Sequence, residues 1–338
     1  MNSCLQCLNN IPELAKYFLA NEHLKELNTT STTKGNLAST FGKLVSTLWD
    51  GHAYSSTRPV EIKRVVSKFA SRFIGYDQQD AQEFLRFFLD GLHEDLNRIV
   101  DKPKYYEIKD RPGATDRSVS DEYWKYYQDR NASAISDLFC GQLQSEVICQ
   151  KCQHRSICYD VFWDLSVPIP KRAKTFRKTV FSKDTIGASC TLEQCLKAYT
   201  ETETMRGDDE YYCSKCKTHR PVTKRISLYR APEVLVIHLK RFSFSTFSRE
   251  KVNSQVVFPT HGLNLDDFLA ESAPADQGAV YELTGIVNHM GSLNGGHYTA
   301  DCLNEADSWF NYNDASVSAT DTSKLDGSSA YILFFRKQ

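Results

Sequence analysis

The sequence predicts an α+β fold in which a helical lobe leads and strands follow. Three observations carry that expectation. Apolar residues recur at helical spacing through the first hundred positions. From Ile135 onward the apolar runs are short and bounded by Gly, Pro and Asn, as strands are. Two Cys-x-x-Cys pairs, Cys149/Cys152 and Cys213/Cys216, punctuate the strand-rich part.

The chain has 338 residues, 41% hydrophobic and 25% charged, with a net charge of −1. That suffices for a large core in one big or two ordinary domains. The near-zero charge argues against nucleic acid and anionic membranes as general partners. No apolar run approaches the ~18 residues of a membrane span. No secretory signal precedes the first amphipathic segment, so the cytoplasm is the expected compartment, with the nucleus a second. Eleven cysteines in that setting point to reduced thiols, metal ligands or catalysis rather than disulfides.

Met1 to Asn9 already has helical spacing, with Leu5 and Leu8 on one side and Cys4 and Cys7 nearby. Pro12 suits the first turn of a second helix, expected to reach Leu24. A third carries Leu37, Phe41, Leu44, Val45 and Leu48, and a fourth follows Pro59 with Ile62, Val65, Val66 and Phe69. Asp80, three residues before Glu83, reads as the cap of a fifth helix over 81–100, with Phe84, Phe88, Leu92, Leu96 and Ile99 inward. Gln78, Asp80 and Glu83 either serve only that helix start or line a groove that meets a basic or backbone-rich peptide.

Residues 101–120 read as an exposed loop, and Asp121 to Arg130 as a short helix with Tyr123, Trp124 and Tyr127. Each Cys-x-x-Cys suits a knuckle that grips one side of a tetrahedral Zn²⁺, and two complete a closed structural site. Buried free thiols are the alternative. Cys140, Cys158, Cys190, Cys195 and Cys302 have no such partner and read as core or surface thiols. The basic run 171–190 reads as an insertion, Val234 to Phe242 as a buried strand with His238 a core histidine, and 271–279 as a polar loop.

Tyr281 to Asp314 reads as a β-meander. Gly295-Gly296 stands directly before His297, where glycine admits close backbone approach. Asn313-Asp314 closes the next strand 16 residues on. Neighbouring strands pair, so an imidazole comes within reach of an amide or carboxylate, the base and orienter of a nucleophilic triad. A histidine at a plain β-turn is the alternative.

GYDQQDAQEFLRFFLDGLHEDLNR resembles the second box of the ubiquitin-specific proteases, a family of cysteine deubiquitinases. MNSCLQCL is similar to the tail of their first box, G-N-T-C-F-M-N-S-x-L-Q-C-L. GSLNGGHYTA and WFNYND resemble the histidine box and the third-triad box. The boxes stand in the family's order across essentially the whole chain, most like the compact members.

The resemblance implies a papain-like right hand: a helical thumb at 1–130, zinc-bearing fingers with part of the palm at 135–240, and the palm at 241–338. It implies hydrolysis of the bond after ubiquitin's terminal glycine. His297 would be the base, Asn313 the orienting residue, and Asp314 a sharer or alternative in that role. Gln78, Asp80, Glu83, His289, Gly295, Gly296 and Tyr298 would contact ubiquitin's tail. Cys149, Cys152, Cys213 and Cys216 would hold Zn²⁺. The expected partners are ubiquitin and ubiquitinated proteins, and the expected state is a monomer. The family's nucleophilic Cys falls two positions ahead of Met1, so the expectation is that Met1 is internal to a longer protein. Cys4 and Cys7 sit one to two turns into the helix, past the reach of its terminal field. The rival expectation is a ubiquitin-binding protein without catalysis.

Overall fold

The structure is a computed structural model that describes residues 1–50, 56–75, 77–108, 113–170, 189–244, 249–275, 280–292 and 295–338. The basic run over 171–188, and residues 109–112 and 276–279 of the two expected loops, lie outside the described residues.

Five helices open the chain: α1 (Asn2–Asn9), α2 (Pro12–Leu19), α3 (Asn36–Trp49), α4 (Val60–Phe69) and α5 (Ala81–Asp95). Their apolar stripes meet through edge-on rings. Phe18 meets Phe41 at 4.8 Å and Phe41 meets Phe88 at 5.2 Å, joining α2, α3 and α5. Burying each such ring contributes about 1.5–3 kcal/mol. Three expectations change. The second helix stops at Leu19, because Asn21 adopts a left-handed conformation (φ 57°) and only a 3₁₀ turn, Glu22–Lys25, follows. Leu48 lies outside the stripe and is exposed. The fifth helix ends at Asp95, with Leu96 buried just beyond it and Ile99 half-buried.

Asp95, the last residue of α5, serves a second helix. Gly35 stands at the N-cap of α3 and has no side chain to offer its first N–H groups. The fully buried Asp95 carboxylate accepts instead, from the amides of Gly35 (3.1 Å), Leu37 (2.8 Å) and Ala38 (3.1 Å). It also accepts from the hydroxyls of Ser31 and Thr33, each at 2.5 Å. One helix thus caps another across some sixty positions of sequence.

α6 (Asp116–Gln128) starts five residues before the expected helix, capped by Thr115. Asp116 accepts both Nη atoms of Arg155, at 2.8 and 2.9 Å, and that guanidinium holds its carboxyl below the usual range. α7 (Ala134–Phe139) leads into a four-stranded sheet ordered β2-β1-β8-β5. Its members are β1 (Gly141–Cys149), β2 (Arg155–Phe162), β5 (Glu203–Met205) and β8 (Val222–Arg230). A hairpin, β6 (Tyr211–Cys213) with β7 (Thr218–Arg220), accompanies it.

The main sheet has eight strands. Its path runs β17 (Ser316–Ala319), β16 (Trp309–Asn313), β15 (Gly295–Leu303), β14 (Val280–Ser292), β18 (Ala330–Lys337), β9 (Val234–Lys240) and β3 (Leu165–Pro168), with β13 (Leu263–Asn264) beside β14. Val234 and Val236 join the core under the helices, whereas Leu235 and Ile237 join a second core on the other face. Both faces are covered, which is why Val234 to Leu239 reads as an apolar run broken only by His238. The second core also takes in α8 (Leu192–Tyr199), whose Cys195 and Leu196 are buried. β4 (Cys190–Thr191) pairs with β12 (Val256–Val257) beside it, and β10 (Phe242–Phe244) with β11 (Arg249–Lys251) forms a last hairpin.

Candidate functional site

A cleft of about 430 Å³ lies where the helical lobe meets the main sheet. Met1, Asn2 and Ser3 of α1, Gln78, Gln79 and Phe84 around the start of α5, and Gly296, His297, Tyr298 and Asp314 of the sheet line it. The antiparallel pairing of β15 with β16 sets Ala300 opposite Tyr312, which brings the two strand ends together. His297 Nε2 lies 2.7 Å from Asn313 Oδ1. Oδ1 can only accept, so Nε2 is the donor, and in the neutral ring that leaves Nδ1 as the basic nitrogen.

Asp314 follows in a left-handed conformation (φ 50°). Its Oδ1 accepts from Asn2 Nδ2 at 2.6 Å, and its backbone oxygen from Gln6 Nε2 at 3.0 Å. Asn2 and Gln6 are four apart on one face of α1, so that face pins the strand end that carries Asn313. The sequence reading assigned neither residue a role, although Asn2 stands in the MNS stretch.

The expected tail-contacting residues divide between two walls. On one, Gln78 Oε1 accepts from the Gly296 amide at 2.9 Å, across the cleft. Asp80 uses one carboxylate oxygen to cap α5 through the Glu83 amide (3.0 Å), and the other accepts from Tyr331 Oη (2.5 Å). The Glu83 carboxylate is paired with Arg72. On the other wall, Gly291 opposes Gly296 and Met290 opposes His297. The His289 ring lies directly under Gly296: a Cβ there would run into its Nε2 and stand 2.6 Å from the Met290 carbonyl. Burial, with Lys251 adding to it, pushes the His289 imidazole down to about 4, so it is neutral at ordinary pH. The Tyr298 ring lies tilted 4.7 Å from that of His289, and its phenol is pushed up by burial and by Asp80. Gly295 stands exposed at the start of β15.

The thiols of α1 are turned away from this cleft. Cys4 is fully buried with Sγ 3.4 Å from the Ala81 carbonyl, and burial pushes its thiol up to about 11. Cys7 lies 3.8 Å from Cys302, and burial pushes its thiol well above the usual range. His238 is held by Ser166 Oγ at 2.9 Å and pushed down to about 4 by burial.

Residues 1–335 match the family described as ubiquitin carboxyl-terminal hydrolase. The chain belongs to that family. It is 38% identical to ubiquitin carboxyl-terminal hydrolase 2 of Bos taurus over 336 residues, covering 99% of this chain and 53% of that protein. It is 32% identical to human (Homo sapiens) ubiquitin carboxyl-terminal hydrolase 21 over 350 residues, covering 99% of this chain and 59% of that protein. The chain thus spans little more than half the length of these curated relatives. Two solved structures share its fold over the whole chain. The SAGA DUB module containing Ubp8 bound to monoubiquitin matches with a TM-score of 0.73 at 27% identity, over 66% of that chain. The module bound to ubiquitin aldehyde matches at 0.72 and 26%, over 67% of that chain. The fold is the papain-like right hand of the family's catalytic domains.

In this chain the four expected metal ligands come together. The sulfurs of Cys149, Cys152, Cys213 and Cys216 all lie within 4.8 Å of one another, with Cys152 and Cys213 at 3.6 Å. The two knuckles share one geometry. Gln153 and Lys217 each follow their second cysteine in a left-handed conformation (φ 56° and 57°), and each amide returns to the first cysteine's carbonyl, at 2.9 and 2.8 Å. A Zn–S distance of about 2.3 Å gives a tetrahedron whose sulfurs stand about 3.8 Å apart, so this donor set fits Zn²⁺. The amides of Cys152 and Lys151 draw Cys149 down to about 7, whereas Cys152 and the other thiols push Cys216 up to about 12. Four thiols this close ionise together only around a cation.

Proposed function

We propose that this chain is the catalytic domain of a thiol-dependent deubiquitinase that cleaves the bond after ubiquitin's C-terminal glycine. The hydrogen bond between His297 and Asn313 at the mouth of the cleft carries the reading. Nδ1 of His297 takes the proton of a cysteine thiol, and the thiolate attacks the glycine carbonyl. The imidazolium then protonates the departing lysine amine, leaving a thioester. Water, deprotonated by the same imidazole, hydrolyses that thioester and frees the thiol. Asn313 keeps the ring oriented throughout, and Asp314 acts by fixing Asn313 against α1. In the family's motif order the thiol stands two positions ahead of the residue that Met1 matches.

Gly295, Gly296, His289 and Tyr298 make one wall of a slot narrow enough for glycine. Gln78, Asp80 and Glu83 make the other; Asp80 and Glu83 supply its carboxylates for the tail's arginine, Glu83 by exchanging its present partner Arg72. On this reading residues 1–130 are the thumb, 135–240 the fingers with part of the palm, and 241–338 the palm. Zn²⁺ on the four cysteines joins the knuckle at the end of β1 to the β6–β7 hairpin and takes no part in the chemistry. A second reading, ubiquitin binding without turnover, is favoured by the burial of Cys4 and Cys7. Calorimetric titration tests what the two readings share. Ubiquitin is expected to bind, and ubiquitin lacking its last two glycines to bind at least about tenfold more weakly. Equal affinities for the two would remove the tail slot and both readings with it.

A further inference from the structure

The β14 strand has a neighbour on each side only as far as Asn288. There its pairing with β18 ends, opposite Ala330, and the amide of His289 makes one last bond to Ser329 O at 2.8 Å. From Met290 to Ser292 the strand is paired, among the described residues, with β15 alone. A strand end with carbonyls facing away from its single partner is ordinarily satisfied by water and free to shift. Here a lysine fills the gap. Lys251, the last residue of β11, donates from Nζ to the carbonyls of His289 (2.8 Å) and Gly291 (3.2 Å).

The attachment has a second point. Lys251 pairs across the hairpin with Phe242 of β10, and directly opposed residues project to the same face. The Phe242 ring meets the His289 ring edge-on at 5.2 Å. One hairpin therefore holds one short stretch of β14 by a ring and by an ammonium. The charges acting on that ammonium are those of Arg241, which repels it, and Asp326, which attracts it; burial, the larger influence, also disfavours its charged form. The charge is nonetheless placed where two carbonyl dipoles converge, the arrangement that makes such bonds strong.

The residues so held are those against which the glycine slot is built. Gly291 (φ 107°) faces Gly296 so closely that a Cβ on it would stand 2.7 Å from Gly296 Cα and 2.6 Å from Gly295 O. Gly296 in turn rests on His289 and bonds across the cleft to Gln78, and the next residue is His297. We infer that Lys251 is a positioning residue of the tail slot: it fixes the end of β14, and through it Gly296 and His297, against the opposite wall. This rests on the proposed function in taking Gly296 and His289 as tail contacts.

The test uses the chain as it stands, with Lys251→Met and Lys251→Arg. Two quantities are read: affinity for ubiquitin, and amide exchange at 289–297 compared with Leu333 and Phe334 of β18. Lys251→Met is expected to weaken ubiquitin about tenfold and to speed exchange at Gly296 and His297 by about tenfold, with the β18 amides unchanged. Lys251→Arg is expected to recover most of both, because it keeps a cation over the two carbonyls. Exchange and affinity unchanged in Lys251→Met would overturn the inference. Exchange raised equally across β18 would also overturn it, since that is the signature of a general structural role. If the unaltered chain binds no ubiquitin, the proposed function fails, and the exchange data alone decide whether Lys251 holds the end of β14.

Discussion

Asp95→Ala should cost the helical lobe far more than an ordinary surface change, and the size of the cost follows from the donors it strands. Three backbone amides, those of Gly35, Leu37 and Ala38, and two hydroxyls, those of Ser31 and Thr33, converge on this buried carboxylate. The hydroxyls can turn toward other acceptors; the amides at the start of α3 cannot. Each buried orphan donor costs roughly 1–3 kcal/mol, and partial entry of water lowers the sum, so a loss of about 4 kcal/mol is expected. Asp95→Asn keeps one acceptor oxygen but turns an NH₂ toward donors, so it should recover no more than about half of that loss. Urea unfolding followed by tryptophan fluorescence measures this directly, because Trp49 ends α3 and donates to Asn9 Oδ1 at 3.2 Å. A loss below about 1 kcal/mol in Asp95→Ala would refute the claim that this carboxylate caps α3.

Other consequences are as specific. Purified chain should carry one Zn²⁺ per molecule, and Cys213→Ser should lose it and lower the thermal midpoint by several degrees; metal content equal to that of the unaltered chain would contradict the four-cysteine site. Gly296→Ala drives a methyl into the His289 ring and the Met290 carbonyl. It should cost about 1–3 kcal/mol of stability and weaken ubiquitin about tenfold, and ubiquitin binding at full strength would count against the slot. His289 has its pKa pushed below the unfolded value, so unfolding takes up a proton and stability falls as pH drops from about 6.5 toward 4. The slope from this group reaches up to about 1.4 kcal/mol per pH unit, and His289→Gln should flatten the measured pH dependence by that amount, whereas an unchanged slope would show that the ring is not buried neutral.

Much of this architecture was legible because local chemistry dictated it. Leu37, Phe41 and Val45 repeat at the helical period, Pro12 fits the first turn of a helix, and Asp80 caps the chain where Glu83 follows three residues on. His297 and Asn313 were legible as a pair because a meander brings consecutive strand ends together. The knuckles were legible because the two Cys-x-x-Cys turns are local, and only their meeting needed the fold. What escaped depends on contacts with no local period. Asp95 caps α3 from some sixty residues away, and Lys251 answers to a place where a neighbouring strand happens to end. Arg241 is buried at a strand end, where its guanidinium donates to the carbonyls of Ala330, Val252, Ser254 and Gly327; nothing in Leu-Lys-Arg-Phe distinguishes it from the exposed Lys240. The early stop of α2 did have a signal, since Asn at position 21 tolerates the left-handed conformation that ends a helix. The start of α6 at Thr115 was hidden because its first turn is polar throughout.

The measurement that bears most directly on the proposed function is turnover of ubiquitin carrying a C-terminal fluorogenic amide. It should be followed with the chain as it stands and with one extended by the family's first box, including its cysteine. The account predicts release of the fluorophore by the extended chain alone, abolished by His297→Ala and reduced about ten- to a hundredfold by Asn313→Ala. Turnover by the chain as it stands would contradict the burial of Cys4 and Cys7. An extended chain that binds ubiquitin and releases nothing would contradict catalysis and leave a ubiquitin-binding protein.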